Sequence, residues 1–147
     1  MSNTTKVILI LIIIILAILA ILGSVYYSSQ NKVRIMYLKI NEKYNIGSEY
    51  EIKSGIQEFR ELAEKFPKSR YAPKALYQIG YGYELLYKIT KDESKLNIAQ
   101  KEYFNVYKKC PDSLEAQKAL YQIAHISYLK GEYEDAQERL DYLLSKY

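Results

Sequence analysis

Few residues in this chain have types and spacings that invite a chemical reading. Cys110 is the only cysteine and His125 the only histidine among 147 residues. A nitrogen–sulfur metal site needs three or four such ligands, so one of each excludes it, and no carboxylate spacing suggests an all-oxygen site. A nucleophile–base pair would have to use His125, and nothing marks a Ser or Asp as its partner. Gly80-Tyr81-Gly82 has the glycine spacing of a phosphate cradle but lacks the Lys-Ser/Thr that completes one. It lies inside a helix-period segment, where close helix packing at Gly80 is the better reading. Glu132, Glu134 and Asp135 cluster at a turn and helix start, where the helix dipole favours carboxylates, and a solvated role is expected of them. No catalytic, metal or cofactor site is therefore assigned, and the chain does not read as an enzyme.

What remains is tyrosine, seventeen of them with no tryptophan, and its arrangement follows a repeat. Lys74-Ala75-Leu76-Tyr77-Gln78-Ile79 returns unchanged as Lys118-Ala119-Leu120-Tyr121-Gln122-Ile123, 44 residues later. The same offset carries Pro67-x-Ser69 onto Pro111-x-Ser113 and Ala72 onto Ala116. Residues 67–83 and 111–127 share nine of seventeen positions, a self-similarity that defines a repeat architecture. A weaker first copy aligns Ile35 with Ile79 and Ile123. At this offset Cys110 falls with Phe66, and with Tyr147 once the seven extra residues of the middle unit are discounted, so it reads as a small buried hydrophobe at a helix end. A single cysteine makes no intramolecular disulfide, which leaves the redox compartment open.

The elements that carry these positions are helical. Val33, Met36, Tyr37 and Ile40 recur at three- and four-residue steps. Asn45-Ile46-Gly47-Ser48 is a turn, and Ser48-x-x-Glu51 has the form of a capping box for a helix through Ile56, Phe59, Leu62, Ala63 and Phe66. That helix stops at Pro67, whose ring disfavours a helical residue before it. Ser69 is expected to cap a helix through Ala75, Leu76, Ile79, Tyr83, Leu86 and Tyr87, and Thr90-x-x-Glu93 to cap the next, through Leu96, Ala99, Tyr103, Val106 and Tyr107. Ser113 opens the following helix, Lys130-Gly131-Glu132 is a turn, and the last helix holds Ala136, Leu140, Leu143 and Leu144. The expected fold is all-α, with helix hairpins at about 28–67, 68–111 and 112–147. Each buries too little alone and needs stacking to complete a core.

Residues 1–27 belong to another regime. Val7 to Leu22 is an unbroken run of sixteen apolar residues, and extension to Tyr27 makes twenty-one, enough to span the roughly 30 Å hydrocarbon core as a helix. Tyr26 and Tyr27 sit where an interfacial aromatic belt belongs. A cleaved signal peptide beginning at Lys6 is the competing reading. The length of the run and the lack of a small-x-small cleavage site favour a retained anchor that contacts the bilayer through residues 7–27. Leu22-Gly23-Ser24 has the form of a lipoprotein box with Ser in place of the lipidated Cys, which excludes lipidation by that route. No Pro or Gly after Gly23 separates the anchor from the first soluble helix, so the two are expected to be continuous. Lys32, Arg34, Lys39 and Lys43 follow the run, and the positive-inside rule then puts residues 28–147 in the cytoplasm. The net charge of +4 is mild, and no Lys/Arg block is long enough to read as a nucleic-acid or polybasic lipid patch.

Over about residues 50–147 the repeats resemble the tetratricopeptide family. Leu120, Ile123-Ala124, Gly131, Tyr133, Ala136 and Leu140 fall at the family's positions in one unit. Leu76, Ile79-Gly80, Tyr83, Ala99, Tyr103 and Pro111 do so in the unit before it, and Gly55, Phe59 and Pro67 in the first. The departures are seven extra residues between the two helices of the middle unit and Ser127 where a Tyr is expected. Longer repeats with a Pro-x-Ser-x-x-Ala junction are similar to the bacterial envelope branch, which includes an outer-membrane assembly lipoprotein and a Tol–Pal coordinator.

That resemblance implies an α-solenoid and a single-pass protein of the bacterial inner membrane with an exported, periplasmic repeat domain, against the charge count. It also implies that the first helices of the hairpins line a concave, protein-binding face. The residues expected there are Lys74, Tyr77, Tyr81, Glu84, Lys118, Tyr121, His125 and Tyr128, since tyrosine gives large amphipathic contact area at low entropic cost. The alternative for Tyr77 and Tyr121 is that they complete the inter-repeat core. A terminal interface is expected at Leu140, Tyr142, Leu143 and Tyr147, for a partner or a second copy of the chain. The implied function is a scaffold or assembly factor that holds a protein partner, with a permanently packed subunit of a membrane complex as the alternative.

Overall fold

In the computed structural model, which describes residues 3–45 and 47–147, the chain forms six α-helices and no strand among the described residues. They are α1 (Asn3–Asn45), α2 (Glu49–Lys65), α3 (Ala72–Thr90), α4 (Ser94–Lys109), α5 (Leu114–Leu129) and α6 (Tyr133–Lys146). Consecutive helices pack against one another along the chain, and α3 also meets α5. The connections are short, so neighbours in sequence are neighbours in space.

α1 passes through residues 27 and 28 without a break. Only its environment changes there: Thr4 to Ser29 are exposed, Gln30 is buried, and Val33, Ile40 and Tyr44 follow it into the core, with Met36 and Tyr37 half-buried. One helix therefore supplies both the apolar run and the first core stripe. The sequence reason is the lack of a helix breaker, combined with a change from an all-round apolar surface to an apolar stripe at three- and four-residue steps.

Chain reversals use local chemistry, in part as expected. At the start of α2 the Ser48 backbone N–H donates to Glu51 Oε2 at 2.8 Å, the reciprocal arm of a capping box. Ser113 caps α5 by accepting from the Ala116 backbone N–H at 3.1 Å. Ser69 does not cap α3. Its Oγ accepts from the Tyr71 N–H at 3.2 Å and donates to Gln30 Oε1 at 3.1 Å, so the residue ties the turn to α1 while Pro73 sits in the first turn of α3. Nor does Thr90 open α4. It ends α3, donating to the Leu86 carbonyl at 2.8 Å; Lys91 turns the chain at φ 58°, and Asp92 Oδ1 takes the Ser94 N–H at 2.9 Å. The turn before α6 uses Gly131 at φ 80°, a conformation that glycine adopts without steric cost.

Two tyrosines anchor the core by lying on glycines. Tyr103 of α4 is fully buried against Gly80, where an added Cβ would meet the ring at 2.7 Å. Tyr44 of α1 lies on Gly55 of α2, reaches Gly82 of α3, and donates its hydroxyl to the Gln78 carbonyl. Burial of a large apolar side chain contributes about 1.5–3 kcal/mol, and α2 to α5 each bury several. α6 buries only Ala136, with Leu143 half-buried and Leu144 78% exposed, so the expected apolar stripe of the last helix is only partly inward. Polar links supplement its hold. Buried Ser127 accepts from Gln100 Nε2 at 2.9 Å and donates to Asp135, which also accepts from Arg139 at 2.6 Å.

Gly80→Ala gains about 1 kcal/mol of helix propensity but overpacks a site where such insertions cost about 1–3 kcal/mol. Tyr103 cannot swing aside, because its hydroxyl is bonded to Glu84. Gly80→Ala should therefore lower the melting temperature followed by circular dichroism, whereas Gly23→Ala, with nothing near its added Cβ, should not. A Gly80→Ala protein that melts above wild type would contradict this packing.

Candidate protein-binding face

The residues expected on the first helices of the hairpins separate into two groups. On α3, neighbouring helices cover all of them but Lys74. Tyr77 is half-buried: its ring centroid lies 5.2 Å from that of Tyr103, and its hydroxyl accepts from Gln122 Nε2 of α5 at 3.3 Å. Burial pushes its hydroxyl pKa upward. Tyr81 is also half-buried, 6.3 Å from the Tyr44 ring of α1. Lys74 is exposed, its ammonium 5.4 Å over the Tyr71 ring.

Glu84 departs from the expected surface role. It is 7% exposed and accepts a hydrogen bond from the buried Tyr103 hydroxyl. Burial raises its carboxyl pKa; the Tyr103 bond and the charges of His125 and Lys88 oppose that shift. Its neighbours, not its position on the helix, decide its role: α4 supplies a ring whose hydroxyl needs a partner, and Glu84 provides it.

On α5 the equivalent positions stay open. Tyr121 is 53% exposed and Tyr128 59%, while His125 and Lys118 are also exposed. The Tyr121 and His125 rings lie 6.4 Å apart with planes only 4° from parallel, and Tyr128 meets Tyr133 edge-on at 5.3 Å. Leu114 is exposed one turn before Lys118. Steps of three and four place all five on one helix face. The face is aromatic with a cationic side chain near one end, so it can hold an apolar or aromatic segment by area and stacking.

The expected terminal residues fold partly onto the chain itself. Tyr142 Oη lies 2.7 Å from Tyr107 Oη of α4, and Lys146 donates to the same Tyr107 hydroxyl at 2.8 Å, holding its pKa below the usual range. Tyr147 donates to the Pro111 carbonyl at 2.8 Å, and Leu143 packs on the core. Leu140 and Leu144 remain exposed. Of the expected apolar strip, Tyr142 meets Tyr107 of α4 and Tyr147 meets the Pro111 carbonyl, while both rings keep about half their surface exposed.

Among the residues set aside as inert, Cys110 is half-buried against the core, and burial pushes its thiol pKa upward. Asp135 is not merely solvated: its bonds to Arg139 and Ser127 hold its pKa down. Ser127 has no sequence signal beyond standing where the repeat expects a ring. Among the described residues, no three His, Cys, Asp or Glu side chains gather closely enough to hold a metal ion.

Fold and face together define an all-helical protein with one N-terminal helix long and apolar enough to cross a membrane. No family model matches the chain, and no curated protein matches it either.

The buried Glu84 carries a pH signature. Its unfolded carboxyl titrates near 4.5 and its folded one higher, so the folded state binds more protons between those values. Stability then falls as pH rises through that window. Glu84→Gln, which keeps an acceptor for Tyr103, removes this loss. The melting-temperature difference, variant minus wild type, should be smallest at acid pH and grow in favour of the variant towards neutrality. Glu84→Ala, which strands the Tyr103 hydroxyl, should melt below wild type. A Glu84→Gln difference that shrinks as pH rises would contradict the assignment.

Proposed function

We propose that the protein is a membrane-anchored adaptor of tetratricopeptide type that holds a segment of a partner protein, without catalysis. The observation that carries this reading is the contrast between α3 and α5. The same sequence motif is covered at Tyr77 by Gln122, whereas its second copy leaves Tyr121, His125 and Tyr128 open along one face. Rigid aromatic rings exposed side by side favour contact with a partner over solvation. The sole histidine stacks on Tyr121 and the sole cysteine is half-buried at a helix end, which supports binding rather than reaction.

The anchor places the adaptor in a membrane as a single-pass protein. By resemblance this is the bacterial inner membrane, with the repeats outside the cytoplasm as a scaffold or assembly factor of the cell envelope. The excess of Lys32, Arg34, Lys39 and Lys43 supports the opposite placement. A reporter active only in the cytoplasm, fused after Tyr147, should stay silent; activity would reverse the orientation.

A second reading, a permanent subunit of a larger membrane complex, is favoured by the exposed Leu140 and Leu144 of α6. Size-exclusion of a detergent extract separates the two, since a stable stoichiometric complex supports the subunit and a monodisperse monomer or dimer the adaptor.

Tyr121→Ala with His125→Ala should sharply reduce capture of the partner in a crosslinking pull-down from native membranes, with little change in melting temperature. Tyr77→Ala should instead cost stability, as truncation of a partly buried ring does, up to about 3–5 kcal/mol. Unchanged capture by a folded Tyr121→Ala/His125→Ala protein would remove the α5 face from the binding site.

A further inference from the structure

Basic residues are scattered through the sequence beyond the apolar run, but the fold gathers many of them at one end of the helical row. Gln30 Oε1 accepts from Ser69 Oγ at 3.1 Å and from the Arg70 backbone N–H at 3.3 Å. That contact fixes the α2–α3 junction beside the point where α1 leaves its apolar stretch. Gln30 stands three residues past Tyr27, about 4.5 Å along the helix at 1.5 Å per residue. The α4–α5 junction lies at the same end: Pro67 and Ala72 line one cleft with Lys109 and Cys110, and Tyr147 at the end of α6 bonds to Pro111.

This end presents Lys32 and Arg34 on α1, Lys68 and Arg70 before α3, and Lys108 and Lys109 closing α4, all exposed. Glu64 and Asp112 are interspersed with them, yet none of the six cations is ion-paired among the described residues. The opposite end lies about 22 Å further along α1, from Gln30 to Asn45, and differs in kind. There Lys53 pairs with Glu49, Lys95 with Asp92, Lys130 with Glu132 and Arg139 with Asp135, at 2.6–2.8 Å. Four cations are thus paired with carboxylates at the far end, where Lys88 and Lys91 are not, whereas none of the six at the near end is paired.

We propose that the near end is a lipid-docking collar, which rests on anionic headgroups of the bilayer that α1 enters. The proposal rests on the anchoring role of α1. With the hydrocarbon boundary near Tyr27, the headgroup layer reaches the level of Gln30, Lys68 and Arg70, within a Debye length of about 8 Å at physiological salt. Anionic lipid attracts basic residues held that close to its surface. The α1 helix continues without a linker, so these charges are held on a rigid frame. Their attraction sets the tilt of the whole row, and with it the direction of the α5 face.

The test uses the full chain carrying Cys110→Ser and Asp112→Cys, with a donor dye at position 112, reconstituted into vesicles that contain an acceptor-labelled lipid headgroup. The vesicles are phosphatidylcholine alone or phosphatidylcholine mixed with phosphatidylglycerol. Energy transfer should rise in the anionic vesicles and lose that increment in about 1 M salt, where the Debye length falls to about 3 Å. It should also lose the increment when Lys68, Arg70, Lys108 and Lys109 are replaced by Gln. A dye at Glu134→Cys, at the opposite end, should show no such rise. Failure to float with either vesicle would remove the anchoring premise and the collar with it. Flotation with transfer indifferent to lipid charge and salt would overturn the collar and leave the anchor standing.

Discussion

A backbone inside hydrocarbon has no water to bond, so each amide must find its partner within the segment. α1 satisfies its backbone in that way over 43 residues, its first part is long and apolar enough to cross a membrane, and the rest of the molecule is built on the part that continues past the apolar run. The buried positions Gln30, Val33, Ile40 and Tyr44 begin within a turn of the exposed Tyr27. A helix that is long and apolar enough to cross a membrane at one end and packs into a core at the other leaves no joint between them. The first contact of the α2–α3 junction, through Ser69 and Arg70, is made to Gln30 itself.

From that shared helix, packing proceeds by large rings on small residues. Tyr44 occupies the space that Gly55 and Gly82 leave, and Tyr103 the space at Gly80. Each ring carries a hydroxyl into the packed interior, and each hydroxyl has a partner: the Gln78 carbonyl for Tyr44 and the Glu84 carboxylate for Tyr103. A buried donor without a partner costs about 1–3 kcal/mol, so these bonds specify the pairing of helices as well as stabilising it. Along the same row the repeated glutamine bridges first helices. Gln78 donates to Tyr37 at 3.1 Å, and Gln122 to Tyr77 at 3.3 Å.

Much of this was legible in the sequence because it is local or periodic. The recurrence of Lys-Ala-Leu-Tyr-Gln-Ile marks equivalent helices, Pro67 and Pro111 lie at their boundaries, Ser113 caps a helix, and Gly80 signals close approach. What escaped depends on which side chain arrives from another helix. Glu84 reads as a surface carboxylate until Tyr103 is placed over it. Tyr77 and Tyr121 are identical in sequence context, yet Gln122 covers one, and among the described residues no helix covers the other. Thr90 has the form of a cap, but Lys91 adopts the left-handed conformation first and Asp92 takes over the cap. The end of α6 looked unengaged because its partner, Tyr107, lies 35 residues from Tyr142.

The central physical claim is that the apolar run and the core share one uninterrupted helix. Hydrogen exchange of the backbone amides from Gly23 to Val33, measured on the full chain in lipid nanodiscs, tests it most directly. Continuous intrahelical bonding predicts slow exchange across the whole stretch, with no fast segment between Tyr27 and Gln30. Rapid exchange confined to Gly23–Ser29 would reveal a joint there and contradict the shared helix.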